Sequence, residues 1–127
     1  MIDWSDYRNF TAREMRCSCP CGRADMDPDF MAALQRVREA YGRPMKVTSG
    51  FRCPDYNAKI SKTGHDGPHT TGKAADVAVS GEGAYHLLHA AIGMLGIGMK
   101  QHGPHVTRFL HLDTTDGPMR PRIWSYP

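Results

Sequence analysis

Residues 69–76 read His-Thr-Thr-Gly-Lys-Ala-Ala-Asp, and residues 109–113 read Phe-Leu-His-Leu-Asp. In the first stretch, Gly72 allows the backbone to fold back, so that His69 in a loop and Asp76 at the head of a strand can approach each other. The small alanines before Asp76 leave room around its side chain. The first stretch therefore predicts a loop that leads into a strand, with two polar side chains brought together.

The second stretch predicts a strand with two different faces. Side chains alternate across a strand, so Phe109, His111 and Asp113 share one face, while Leu110 and Leu112 point to the other. Leucines on one face and polar side chains on the other indicate a site wall that is backed by the core.

Two helices are predicted outside these stretches. Asp27 and Pro28 are typical of an N-cap and a first helical residue, and Gly42 is typical of a helix end. The apolar stripe of the predicted helix 28–41 consists of Phe30, Leu34, Val37 and Tyr41. The stripe of a second predicted helix, about 83–95, consists of Tyr85, Leu88, Ile92 and Leu95.

Several short segments have strand-like patterns, and the segment 61–72 is rich in loop-forming residues. The predicted strands are 45–49, 74–79, 97–100, 109–113 and an edge strand in the tail around Arg122 to Tyr126. The order of helices and strands predicts an α+β fold for residues 1–127, a single domain with a small antiparallel sheet, two main helices and long loops.

The composition excludes several classes of protein. The chain has 127 residues, a formal net charge of +3 and a sequence pI of about 8.8, and its basic residues are scattered. This pattern does not favour nucleic-acid binding. No apolar run approaches the ~18 residues that a membrane span needs, and the N-terminus has no secretory signal pattern. We expect a monomer that begins in the cytoplasm.

Four cysteines, Cys17, Cys19, Cys21 and Cys53, form a separate group. They could bind a structural zinc ion, although three ligands in a C-x-C-x-C run are packed more tightly than in C-x-x-C knuckles. One disulfide is a second alternative, and free thiols packed in the fold are a third. The spacing alone leaves all three open.

Histidine and aspartate at positions 69, 76 and 111 provide the ligand types of a catalytic zinc site. Such a site uses three protein ligands and leaves one position open for water. Each residue also has an ordinary alternative, since a histidine is often only hydrogen-bonded and an aspartate often caps a turn. Spacing alone does not decide between these interpretations.

The chain resembles the zinc D-Ala-D-Ala carboxypeptidase-like family, which includes phage L-Ala-D-Glu endolysins, vancomycin-resistance dipeptidases and the hedgehog signalling fold. The resemblance to small phage-type members is closer still. The resemblance covers nearly the whole chain, and the most specific part is the His-x-x-Gly-x-Ala-x-Asp pattern. The matching segments are Cys17 to Gly22, Ser49 to Pro54, Pro68 to Gly72, His69 to Asp76, His111 with Asp113, and Arg122 to Trp124.

The resemblance implies that His69, Asp76 and His111 bind a catalytic zinc ion, which would activate water and polarise a carbonyl group. Arg52 would bind a substrate carboxylate or a developing oxyanion, unless it pairs with an acidic neighbour.

The general base does not transfer from the family. Relatives carry an acidic residue three positions before the last histidine or a histidine two positions before it, where this chain has Arg108 and Phe109. Asp113, on the same strand face as His111, is the first candidate base, and His105 in the preceding loop is the second.

The resemblance further implies a peptidase that hydrolyses peptide bonds in peptidoglycan stem peptides, as a carboxypeptidase or an endopeptidase. We expect a phage or prophage lysin that reaches the cell wall after release, or a protein carried in a virion. The alternative is a non-catalytic zinc-binding module on the same fold, because the usual acid is missing.

Overall fold

The computed structural model describes residues 2–127. Its helices are α1 (Ala12–Met15), α2 (Pro28–Tyr41), α3 (Pro54–Ile60) and α4 (Gly81–Ala90). Its strands are β1 (Lys46–Ser49), β2 (Ala74–Ala78), β3 (Gly96–Lys100), β4 (Phe109–Asp113) and β5 (Arg122–Ser125). Short 3-10 turns lie at Trp4–Asp6, Gly64–Asp66, Pro68–Thr71 and His105–Thr107.

The five strands form one sheet in the order β1-β2-β4-β3-β5, which confirms the α+β prediction. The sheet is mixed and not purely antiparallel, because β5 runs parallel to β3 while the other pairs are antiparallel. Strand β4 is already paired with β2 on one side and with β3 on the other. The tail that follows β4 therefore cannot pair with β4 itself and must add to another strand of the sheet. It crosses to the free edge of β3, and the predicted edge strand is confirmed there.

The predicted helix 28–41 is confirmed at both ends. The Asp27 side chain accepts a hydrogen bond of 2.9 Å from the backbone N–H of Phe30, which caps the first turn. The helix ends at Gly42, whose φ is 72° and whose N–H donates to the carbonyl of Arg38. Phe30 and Leu34 on its apolar face are fully buried.

The prediction for the second helix was wrong in its end and in its buried face. Helix α4 stops at Ala90, and Tyr85 and Ile92 of the predicted stripe are 69% and 73% exposed. The buried residues of the helix are Ala84 and Leu87. Helix α4 packs against α2, and it does so with a buried face different from the predicted stripe.

The core lies between the helices and one face of the sheet. Leu110 and Leu112 of β4 are 1% and 0% exposed and join Phe30, Leu34 and Leu87 in the core. The predicted division of the β4 faces is thereby confirmed, and the opposite face is left for polar side chains. Within residues 2–127, no helix combines the length and apolar character that crossing a bilayer requires.

Candidate metal centre

Three polar side chains from separate segments meet on the sheet. Asp76 in β2 and His111 in β4 are direct partners in the antiparallel register, and His69 lies in the 3-10 turn that leads into β2. Asp76 Oδ1 is 3.0 Å from His111 Nδ1 and 3.3 Å from His69 Nε2. Gly72 has a φ of 75° and adopts the left-handed conformation that the predicted fold-back requires.

These three side chains are buried, between 3% and 8% exposed, and one potential ligand atom of each lies within 4.8 Å of the other two. The residues could therefore hold one metal ion. Sequence and structure agree on this group, because the strand pairing brings together the residues that the two stretches had singled out.

The second polar atom of each of these side chains is held by another group of the protein. His69 Nδ1 lies 2.8 Å from the carbonyl oxygen of Gly50, so Nδ1 carries a proton and Nε2 faces Asp76 Oδ1. Arg52 donates to Asp76 Oδ2 at 3.3 Å. His111 Nε2 is 2.7 Å from Asp113 Oδ2. Such outer partners fix the tautomer and direction of metal ligands.

The two carboxylates beside His111 stabilise a positive charge on its imidazole ring. Burial raises the pKa of the Asp76 carboxyl, but hydrogen bonds from His111 and His69 outweigh burial and hold that pKa well below its usual range. Burial lowers the pKa of His111, but hydrogen bonds with Asp113 and Asp76 outweigh it and raise that pKa. Two carboxylates thus flank one imidazole, and a positive charge is stabilised there.

Asp113 lies behind His111, on the side of the ring away from Asp76. Its side chain is 0% exposed, and both oxygens are already engaged. Oδ1 accepts from Thr115 Oγ1 at 2.9 Å and from Arg120 Nε at 3.1 Å, while Oδ2 accepts from Arg120 Nη2 at 2.9 Å. Burial raises the pKa of Asp113, but the bonds with His111 and Arg120 hold it well below its usual range.

Gly96 makes room for this buried carboxylate. Gly96 in β3 is the register partner of Asp113, and a Cβ built at Gly96 would collide with the Asp113 carboxylate. The Asp113 carboxylate can therefore lie here because its neighbour on β3 is a glycine, which has no side chain. Its role as a base remains a prediction, and the geometry directs it to His111.

Arg52 makes three contacts with its guanidinium group. It donates to Ser49 Oγ at 2.9 Å and to Asn57 Oδ1 at 3.1 Å, in addition to Asp76 Oδ2. Arg52 also lines the cleft over the three side chains. Its pairing with an acidic neighbour is thus observed, and its contact with a substrate stays a prediction.

His105, the second candidate base, lies elsewhere. It is an exposed residue of the 3-10 turn His105–Thr107, and its Nδ1 is 3.3 Å from Ser80 Oγ. It is not among the residues that line the cleft containing His69, Asp76 and His111. The structure does not bring His105 to the candidate centre.

The cleft above the centre has a volume of about 690 Å³, and one of its walls was not predicted from the sequence. This wall comes from the tail. The Trp124 ring centroid lies 5.3 Å from that of His111, and the guanidinium groups of Arg120 and Arg122 lie 5.1 and 5.4 Å from the Trp124 ring centroid. The Arg-x-Trp pattern of residues 122–124 was the one sequence feature that pointed to this segment, but the pattern does not indicate that β5 reaches the cleft.

The four cysteines also meet in the structure, at a place that the cleft does not reach. Their sulfur atoms lie within 4.8 Å of one another, and none forms a disulfide. Burial raises the pKa of the Cys17 thiol, but hydrogen bonds from the backbone of Cys19 and Cys53 outweigh it and lower that pKa to about 7.

Comparison with known proteins gives one family. A family model described as Peptidase M15 matches residues 8–113, which is more than four fifths of the chain. The match includes both groups of potential metal ligands and ends at Asp113, before the tail that forms the cleft wall. No curated protein matches the chain.

Proposed function

The chain belongs to the Peptidase M15 family of zinc metallopeptidases, and on this premise we propose that it hydrolyses peptide bonds in the stem peptides of peptidoglycan. The observation that supports a catalytic centre is the arrangement around His69, Asp76 and His111. Three ligand atoms converge, and each ligand is oriented from behind by a separate partner.

The donor set fits zinc. Two imidazoles and one carboxylate, with a position left open towards a cleft, are the pattern of catalytic zinc sites. We assign His69 Nε2, Asp76 Oδ1 and His111 Nδ1 as the ligand atoms. A zinc ion held by these residues would polarise the carbonyl group of the substrate and activate a water molecule.

The protein's own residues hold this centre in place. Asp113 accepts the proton of His111 Nε2 and keeps Nδ1 turned towards Asp76. Arg52 keeps Asp76 Oδ2 occupied, so that Oδ1 faces the two histidines. Both residues therefore act on the ligands, and we propose them as positioning residues of the centre.

The charge of the cleft fits an acidic peptide. Arg52, Lys62, Arg120 and Arg122 line it, and Asp76 has the one side-chain carboxylate in this lining among the residues described. Arg52 and Arg120 already pair with Asp76 and Asp113, whereas Lys62 and Arg122 make no ion pair within residues 2–127. Free carboxylates of a stem peptide would find these two cations beside the Trp124 face.

A lysin of phage or prophage origin is the biological role that we propose for this activity. The resemblance to small phage-type endolysins supports it, and a protein carried in a virion fits the same resemblance. In either case the chain would act on the cell wall after its release.

A non-catalytic zinc-binding module is the second candidate, and one observation favours it. Apart from the three proposed ligands, the described lining of the cleft contains neither a side-chain carboxylate nor a histidine that could act as base. A module of this kind would keep the three ligands and bind wall peptides without cutting them.

The test is mass spectrometry of muropeptides after incubation of zinc-loaded protein with purified peptidoglycan. We expect new stem-peptide fragments, whose masses identify the bond that is cut, and we expect them to disappear with a chelator and return with zinc. Peptidoglycan of several chemotypes is included. If wall fragments bind the zinc-loaded protein but no chemotype is cut, the module is the correct interpretation and the peptidase proposal fails.

A further inference from the structure

The second group of potential ligands consists only of thiols. Cys17 and Cys19 sulfurs are 3.4 Å apart, and Cys19 and Cys53 sulfurs are 3.5 Å apart. Three of the cysteines lie in the segment 17–21, and Cys53 comes from the turn before α3. We propose that these four cysteines form a second, structural metal site, which binds one zinc ion through four thiolates.

The distances between the sulfurs favour this site over a disulfide. A disulfide joins two sulfurs at about 2.05 Å. In a tetrahedral zinc site with Zn–S bonds of about 2.3 Å, the sulfurs stand about 3.8 Å apart. The two observed sulfur–sulfur separations, 3.4 and 3.5 Å, are close to this distance. All four sulfurs lie within 4.8 Å of one another.

Backbone N–H groups are directed at two of the four sulfurs. The N–H of Cys53 donates to Cys17 Sγ at 3.3 Å, and the N–H of Cys21 donates to Cys19 Sγ at 3.4 Å. The N–H of Gly22 donates to the carbonyl of Cys19 at 3.2 Å and closes the turn between the two cysteines. N–H donors directed at sulfur stabilise the negative charge that four thiolates carry.

The donor set selects the kind of ion. Four soft thiolates in a tetrahedron favour zinc over hard cations such as magnesium or calcium. Four protein ligands leave no open position, so the ion would be structural. Each thiol gives up its proton to solvent when the ion binds.

The position of Cys53 connects this site to the catalytic centre. Cys53 follows Arg52, whose guanidinium holds Asp76, and Gly50 in the same turn accepts the hydrogen bond from His69 Nδ1. The backbone N–H of Arg52 also donates to the carbonyl of His69 at 3.2 Å. An ion on the four cysteines would therefore fix the segment 17–21 to the turn that orients two of the three catalytic ligands.

The first experiment counts metal in the intact wild-type protein. The protein is purified under reducing conditions without chelator, and zinc is measured by elemental mass spectrometry. We expect two zinc ions per chain. Replacement by cobalt(II) is expected to give a thiolate-to-cobalt charge-transfer band, which histidine and aspartate ligands do not produce.

Two variants separate the sites. The double variant His69→Ala with His111→Ala removes two ligands of the first site and is expected to keep one zinc ion and the cobalt–thiolate band. Cys17→Ser with Cys53→Ser is expected to keep one ion and to lose the band. Ser18→Ala is the matched control, since Ser18 is exposed and lies between two of the cysteines; it should hold two ions.

Several results would overturn the proposal. One is a histidine variant that holds no metal, and another is a cobalt derivative without the thiolate band. A mass lower by two hydrogens under non-reducing conditions would show a disulfide instead. These readouts do not depend on peptidoglycan hydrolysis, so failure of the proposed peptidase activity leaves them intact. If the cysteine variant does not fold, the wild-type count and the histidine variant still decide.

Discussion

The two ligand groups of this protein differ in how their side chains are held. His69, Asp76 and His111 are attached to two paired strands and the turn before them, and each has a second polar contact that sets its direction. Cys17 and Cys53 belong to irregular segments, and among residues 2–127 the hydrogen bonds of the cysteine thiols are all with backbone N–H groups or other sulfurs. The fold organises the first group, whereas the second, as we propose, depends on the metal ion that it binds.

This difference has a consequence for how each site tolerates the loss of its metal. Strand pairing between β2 and β4 places Asp76 opposite His111 whether or not an ion is present. The segment 17–21 has no comparable framework, and its three cysteines carry like charge once they are deprotonated. Loss of the first ion should therefore end activity and leave the fold, while loss of the second should loosen the fold locally.

The largest expected effect is that of His69→Ala on activity. Removal of one of three ligands eliminates zinc from the catalytic centre, and the several kcal/mol of transition-state stabilisation that a metal supplies correspond to a fall of at least about a thousandfold in kcat/KM. The far-UV circular dichroism should stay that of the wild type, because the strand register does not involve the imidazole.

Muropeptide release and zinc content are the measurements, and His86→Ala is the control because His86 is an exposed residue of α4. A His69→Ala protein that cuts peptidoglycan at the wild-type rate would contradict the ligand assignment. A protein that unfolds would contradict the idea that the sheet alone organises this site.

Asp113→Asn is expected to have the next largest effect, through His111. The amide cannot accept the Nε2 proton as strongly, and loss of such an outer partner lowers metal affinity or activity by about 10- to 100-fold. Arg120, whose side chain is 12% exposed, loses its charge partner, so the free energy of unfolding should also fall, by about 3–5 kcal/mol.

Zinc affinity distinguishes this role from that of a general base. Zinc affinity and kcat are measured separately, with Asp116→Asn as the control, since Asp116 is exposed in the same turn. If the variant binds zinc as tightly as the wild type and loses only the acidic limb of its pH–rate profile, Asp113 is the base and the positioning role is wrong.

The sequence was sufficient where a pattern is local. Asp27 and Gly42 define the ends of α2, and the alternation in β4 separates His111 from Leu110 and Leu112. The His-x-x-Gly-x-Ala-x-Asp pattern places His69 and Asp76 in one segment whose glycine makes the turn. These features depend on neighbouring residues, so their physics can be read along the chain.

The sequence was insufficient where contacts join distant or irregular segments. The pairing of Asp113 with Arg120 crosses a loop, and its burial depends on Gly96 in another strand. For the same reason, Trp124 was predicted at an edge of the sheet but not in the cleft wall. The buried face of α4 was also missed, since the apolar periodicity of Tyr85 and Ile92 selected a stripe that is exposed in the structure, while Ala84 and Leu87 are buried.

Cys53→Ser should have the smallest effect on activity of the three variants, and it tests the connection between the two sites. The turn keeps its hydrogen bonds from His69 to Gly50 and from Arg52 to Asp76, so the catalytic ligands stay oriented when the cysteine ion is lost. Cys53 does not contact the catalytic ligands itself but lies in the turn whose Gly50 and Arg52 orient them. We therefore expect kcat/KM at saturating zinc to fall by no more than about tenfold. The thermal unfolding midpoint should fall clearly, because the binding free energy of a structural ion is part of the folding free energy.

Ser18→Ala is the control and should change neither kcat/KM nor the unfolding midpoint. A folded Cys53→Ser protein as inactive as His69→Ala would mean that the thiols belong to the catalytic centre. An unchanged unfolding midpoint would mean that no ion stabilises the segment 17–21. The proposed difference between the two ligand groups, one organised by the fold and the other by its ion, would then be wrong.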